Sequence, residues 1–171
     1  NFKVRMIDCV GYIVDSALGH IENDAPRMVK TPWYDQEIPF AQAAEIGTKK
    51  VITEHSTIGL VVTTDGSITQ IGREDYVEAE ERVIRELKEQ GKPFVIVLNS
   101  THPNNAETLA LAMAMQEKYD ATVRAADVMQ MSSAEFYDLM ELVLMEFPIR
   151  MVHVALPEWI SALDLQHWLV Q

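Results

Sequence analysis

Apolar and polar positions along the 171-residue chain fall into short blocks separated by glycine, proline and acidic turns. Phe2 to Val10 reads as a buried strand carrying a polar residue, Asp8, near its end, with Gly11 three positions on. From Tyr12 to Phe40 the periodicity is lost, and Gly19, Pro26, Pro32 and Pro39 punctuate the stretch. A loop of that length in a compact domain is usually functional or mobile. Ala41 to Thr53 reads as a helix, weakened by about 1 kcal/mol at Gly47. Ile58 to Thr63 is a short β-branched run closed by Asp65-Gly66, the pattern of a central parallel strand, apolar on both faces.

Glu74 to Gln90 is the clearest surface helix. Acids fill its first turn, Val83, Ile84 and Leu87 form an inward stripe, and Gly91 and Pro93 end it. Glu78–Arg82 and Glu81–Arg85 have the spacing of favourable i,i+4 pairs. Phe94 to Leu98 is a second unbroken apolar strand, ending at Asn99-Ser100. Asn105 to Lys118 is helical, with Leu109, Ala112 and Met113 on one face, and Thr122 to Ala126 is a weaker strand. Ser132 to Glu135 spells a capping box, followed at helical spacing by Phe136, Leu139, Met140, Val143, Leu144 and Phe147.

Alternating strands and helices imply a parallel sheet, because parallel strands need crossover connections. The expected fold is α/β: three layers, with helices on both faces of the sheet. Residues 1–148 make up this domain. Past Pro148, Met151 to Ala155 reads as a strand and Pro157 opens a short helix with Trp159 and Trp168, so 149–171 is expected to begin a second domain. Asn1 leads straight into strand-like residues, the expectation for a piece of something longer.

Charge narrows the function classes. Lys plus Arg number 14 against 26 Asp plus Glu, a net −12, which argues against a nucleic-acid groove or an anionic-membrane surface. No apolar run approaches the ~18 residues that span a bilayer, so direct membrane insertion is not expected. Hydrophobic residues make up 48%, enough for a full core. The single cysteine, Cys9, rules out an internal disulfide and reads as a small buried hydrophobe. The five histidines lack metal-ligand spacing, and most of the nine methionines, Met113, Met115, Met140 and Met145 among them, read as packing.

In open α/β sheets ligands bind outside the carboxyl ends of the strands. Polar residues fall there at Asp8, Thr63-Thr64-Asp65, Asn99-Ser100-Thr101 and Asp127. A strand-end Asp in Asp-x-x-Gly can hold Mg²⁺ through its water shell, and the glycine amide can approach a γ-phosphate. The same four residues also serve as an ordinary strand-to-loop turn. Asn99-Ser100-Thr101-His102 stands where a GTPase carries Asn-Lys-x-Asp, with His102 in place of the guanine-reading Asp; it could equally be a polar loop capping the next helix. Lys49-Lys50 reads as a solvated helix face. No Gly-x-x-x-x-Gly-Lys-Ser/Thr occurs, so these residues alone cannot build a phosphate cradle.

Several motifs are similar to the stage IV sporulation protein A family. They are Asp8-Cys-Val-Gly11-Tyr12, Pro26-Arg-Met-Val29, Thr31-Pro-Trp-Tyr-Asp35, Glu37-Ile-Pro-Phe40, Ala43 to Thr48 and Glu54 to Ile68. Ala79-Glu-Glu-Arg82, Lys92-Pro-Phe94, Asn99-Ser100 and Glu146-Phe-Pro148 resemble it as well, while similarity fades between Asn104 and Met131. The resemblance implies a P-loop NTPase-like domain lacking its first strand, Walker A loop and first helix. It also implies ATP and Mg²⁺ as ligands of the parent protein, whose hydrolysis drives polymerisation of the spore coat basement layer. By position, Asp8 becomes the Mg²⁺-water ligand and Gly11 the γ-phosphate glycine, with Asn99 and Ser100 near the base. Tyr12 to Phe40, with Thr31, Trp33 and Asp35, becomes a switch-like loop. Implied partners are further copies, other coat proteins and a small amphipathic membrane-anchoring peptide, the last two through regions outside these residues. The implied location is the mother-cell cytoplasm, peripheral at the forespore membrane. This chain alone is expected to be inactive.

Two other functions fit the same residues. In one, the nucleotide fold is a scaffold, and aromatic surfaces at Trp33-Tyr34 and Trp159/Trp168 make the contacts. The other is a phosphate-handling enzyme with its site at Asp8 and Asp65.

Overall fold

The computed structural model describes residues 3–14, 16–17, 19–22 and 25–148. Four short strands come first: β1 (Ile21–Glu22), β2 (Ala25–Pro26), β3 (Met28–Thr31) and β4 (Tyr34–Pro39). They form two antiparallel two-stranded sheets, β1 with β2 and β3 with β4. The stretch expected to be a loop therefore holds two hairpins. Its prolines do not prevent this, because strands at the edge of a sheet can do without some N–H donors.

Helix α1 (Phe40–Lys50) runs on into a π-helical turn, Val51–His55. The carbonyl end of that turn is closed by Lys92, whose Nζ donates to Ile52 O, to Thr53 O at 3.1 Å and to Ser56 O at 2.7 Å. Then follow β5 (Gly59–Thr64), α2 (Arg73–Glu89), β6 (Phe94–Asn99), α3 (Ala106–Tyr119), β7 (Val123–Ala126) and α4 (Ser133–Met145). The Ser132 hydroxyl accepts from Glu135 N, and the Glu135 carboxylate accepts from Ser132 N, so both halves of the capping box form.

Strands β5, β6 and β7 make a parallel sheet in that order, with Leu60 level with Val95 and Leu98 level with Ala125. Central β6 is sealed on both faces: Val95, Ile96, Val97 and Leu98 are at most 1% exposed. Ile96 and Leu98 pack with Ile84 and Leu87 of α2 and with Ala112, Met115 and Tyr119 of α3. Val95 and Val97 pack against Leu139 and Val143 of α4 on the other face. Each such aliphatic side chain contributes about 1.5–3 kcal/mol by leaving water.

Several expectations are corrected. Residues 3–10 form no strand, and Val4, Met6, Ile7 and Val10 stand 45–65% exposed. A strand needs a ladder partner, and β5 pairs with β6 alone among the described residues. Cys9 is exposed for the same reason. The Ile58–Thr63 run, expected to be central, is an edge strand among the described residues; α4 lies over β6, leaving Val62 57% exposed. Met113 and Met145 are exposed too, whereas Met115 is buried. The anticipated intrahelical pairs give way to tertiary ones: Arg82 reaches Glu45 of α1 at 2.8 Å, and Glu81 takes Lys118 of α3 at 2.5 Å. The strand and helix expected past Pro148 lie outside the described residues.

Candidate functional site

The carboxyl ends of β5, β6 and β7 share one edge of the sheet, and the polar residues singled out there are tied together. Asp65, just past β5, accepts from Ser67 N at 2.9 Å and from Ser67 Oγ at 2.6 Å through Oδ1. Its Oδ2 accepts from Thr108 Oγ1 of α3 at 3.3 Å. Burial works to raise the Asp65 pKa, but the Ser100, Ser67 and Thr108 hydroxyls and the Ser67 N–H outweigh it and hold the carboxyl below its ordinary range. Ser67 Oγ in turn accepts from Thr101 N at 3.0 Å.

At the end of β6, Asn99 Oδ1 accepts from Val128 N at 3.0 Å, and the amide nitrogen has no partner among the described residues. Ser100 is fully buried; its N–H donates to Ala126 O and its hydroxyl accepts from His102 N, each at 3.0 Å. Asp127 accepts from Met129 N and Gln130 N and shapes the loop after β7. Asn99, Ser100, Asp65 and Asp127 are thus brought to one edge. Sequence reasoning gave no role to Ser67, inside the Glu54 to Ile68 motif, or to Thr108, which lies in no motif; their hydroxyls complete the network.

Asp8 is placed differently. It is exposed, sits on irregular backbone, and makes no hydrogen bond or ion pair among the described residues. The chain after it is anchored. Gly11 has φ +80°, a conformation that favours glycine. Tyr12 follows it, buried, with its OH donating to Glu86 and its ring beneath the Arg82 guanidinium at 4.0 Å. Burial, then the hydrogen bond to Glu86, pushes the phenol pKa up. Arg82 also holds Glu45, lowering that carboxyl, so Tyr12 is clamped to both α2 and α1. Thr31 in β3, Trp33 at the hairpin tip and Asp35 in β4 stand apart from the strand-end network, and Trp33 and Asp35 are exposed.

Beneath the sheet edge lies a buried ion pair. Arg73 Nη2 of α2 donates to Glu80 Oε1 at 2.7 Å, and Tyr119 OH of α3 donates to the same oxygen at 2.6 Å. The Glu80 side chain is 1% exposed. The helical period was the available signal, since Glu80 lies four and seven positions before Ile84 and Leu87.

Asp65 has both oxygens engaged by hydroxyls, whereas the Asp8 carboxylate has no partner among the described residues. Of these two, Asp8 is the one whose donor chemistry fits a hydrated Mg²⁺.

A parallel sheet with helices on both faces, and polar side chains gathered at the carboxyl ends of its strands, is consistent with a nucleotide-binding α/β protein. The family described as Stage IV sporulation protein A, ATPase domain, matches residues 1–148, and the chain belongs to that family. It is 52% identical over 169 residues to stage IV sporulation protein A of Bacillus subtilis (strain 168), covering 99% of this chain. Identity is 49% to the Bacillus anthracis protein and 50% to that of Clostridioides difficile (strain 630), each over 99% of this chain. The chain spans about a third (34%) of the length of each relative. No solved structure matches it. Among the described residues no helix is long and apolar enough to cross a membrane.

Proposed function

We propose that the protein carrying this chain binds and hydrolyses ATP and uses the cycle to drive its own assembly into the spore coat basement layer. The single observation that carries the reading is the Asn99 carboxamide. It is locked by Val128 N–H at the sheet edge where α/β proteins bind ligands, in a family described as an ATPase domain. Asn99 and Ser100 stand near the base, and His102, where a GTPase carries its guanine-reading Asp, favours adenine. Asp8 holds Mg²⁺ through water and Gly11 approaches the γ-phosphate. Held there, Mg²⁺ would supply positive charge against the phosphate oxygens. The Tyr12–Phe40 segment responds to the nucleotide state. Other coat proteins and a small amphipathic peptide would bind regions outside these residues, at the mother-cell face of the forespore membrane.

The scaffold reading has one supporting observation, the exposed Trp33 and Tyr34 at the hairpin tip. Asp8→Ala in the full-length protein separates the two. Loss of ATP turnover and of assembly, with the fold intact by circular dichroism, supports the ATPase reading. Turnover lost with assembly unchanged supports the scaffold.

A further inference from the structure

Neither outer edge of the β3–β4 hairpin pairs with another strand among the described residues, although the Arg27 N–H just before β3 donates to His20 O at 2.9 Å. Such an edge offers a row of backbone N–H and C=O groups to any strand that comes alongside. These two edges are chemically opposite. Arg27, just before β3, and Lys30 within it are cationic with no acid between them; β4 carries Asp35 and Glu37 and no base. All four side chains are exposed, and none joins an ion pair among the described residues. In a chain of net charge −12, a purely cationic strand is a local exception.

Val29 and Ile38 are half-buried cross-strand partners. The pairing shifts register between Val29 and Thr31, so Lys30 lies at an irregular point of β3, while Glu37 alternates away from the face of Ile38.

We propose that the β3 edge of one copy pairs with the β4 edge of a second copy of this chain, setting Lys30 against Asp35 and Glu37 across the new ladder. Pairing β3 with β3, or β4 with β4, would place like charges opposite one another, which is destabilising. The charge pattern therefore selects a head-to-tail contact over a two-fold one. A head-to-tail contact repeats without closing unless its rotation makes a ring. This surface deepens the assembly reading above and rests on it.

The test uses the full-length protein, following sedimentation and ATP turnover together. Arg27→Glu/Lys30→Glu makes both edges acidic, and Asp35→Lys/Glu37→Lys makes both basic. Each variant alone stays in the supernatant. An equimolar mixture sediments as the unaltered protein does, because an acidic edge then meets a basic one at every junction. If either double variant misfolds, Lys30→Glu and Glu37→Lys form a milder pair with the same expectation. Sedimentation of a variant alone at the wild-type level, or a folded mixture that stays soluble, overturns the edge pairing while leaving the assembly reading in place. If the unaltered protein turns over ATP and never sediments, the assembly reading falls and takes this surface with it.

Discussion

The edge of the Trp33 indole meets α1 at Gly47, its Cη2 3.3 Å from where a β-carbon on residue 47 would stand. The hairpin tip thus rests on the helix at the one position in that turn with no side chain. Gly47 lowers helix propensity by about 1 kcal/mol relative to alanine, and the indole contact is what the glycine permits.

Gly47→Ala is expected to raise unfolding free energy by up to ~1 kcal/mol, because the exposed tip can move the few tenths of an ångström required. Gly47→Leu is expected to lift Trp33 from the helix and open the β3–β4 turn to protease. Urea titration reads the first and limited proteolysis the second. A Leu variant as resistant as wild type would show that the indole contact does not hold the hairpin.

Arg73 and Glu80 stabilise as a pair and harm when separated. Arg73→Met leaves a carboxylate buried at 1% exposure without its cation and is expected to cost about 3–5 kcal/mol. Adding Glu80→Leu is expected to recover most of that loss, with a remainder for the stranded Tyr119 hydroxyl. A double-mutant cycle by urea unfolding gives the coupling.

The Tyr119 phenol is pushed up to about 12 from 10.0, first by burial and then by its hydrogen bond to Glu80. The folded state then keeps a proton that the unfolded chain releases. The resulting stabilisation is complete below pH 10 and is lost as pH rises from about 10 to about 12. Tyr12 acts in the same direction. Tyr119→Phe should flatten part of this alkaline decline, read as melting temperature against pH.

Asn99→Ala removes the acceptor for Val128 N–H and is expected to cost about 1 kcal/mol of stability. In the full-length protein it should weaken ATP binding by calorimetry while the protein still melts as one folded unit. Unchanged ATP affinity would move the base away from the β6 end.

The 171-residue chain by itself is expected to show no ATP turnover above a buffer blank, since no Gly-x-x-x-x-Gly-Lys-Ser/Thr occurs in it. A coupled phosphate assay checks this. Turnover abolished by Asp8→Ala would contradict it.

The parallel sheet was legible because β6 and the stripe of α2 follow simple periods, and α4 announces its start with Ser132 and Glu135. The residues before Val10 misled, since an apolar run specifies a strand only where a neighbour offers a ladder. The hairpins escaped notice because Pro26, Pro32 and Pro39 masked their alternation. At the strand ends, Asp65, Asn99 and Ser100 could be picked out by position alone. Ser67 and Thr108 could not, because a hydroxyl gains its role only from what folding brings beside it.

Lys92 closes the carbonyl end of the π turn after α1 from 40 residues further along the chain. During synthesis that turn leaves the ribosome long before its cap does. Until α2 has formed and the chain has turned towards β6, Thr53 O and Ser56 O must rely on water, while Ile52 O has only the nearby Ser56 hydroxyl. The end of α1 is thus finished late, and a ribosome pausing between Ser56 and Lys92 would hold the nascent chain with that end unlocked.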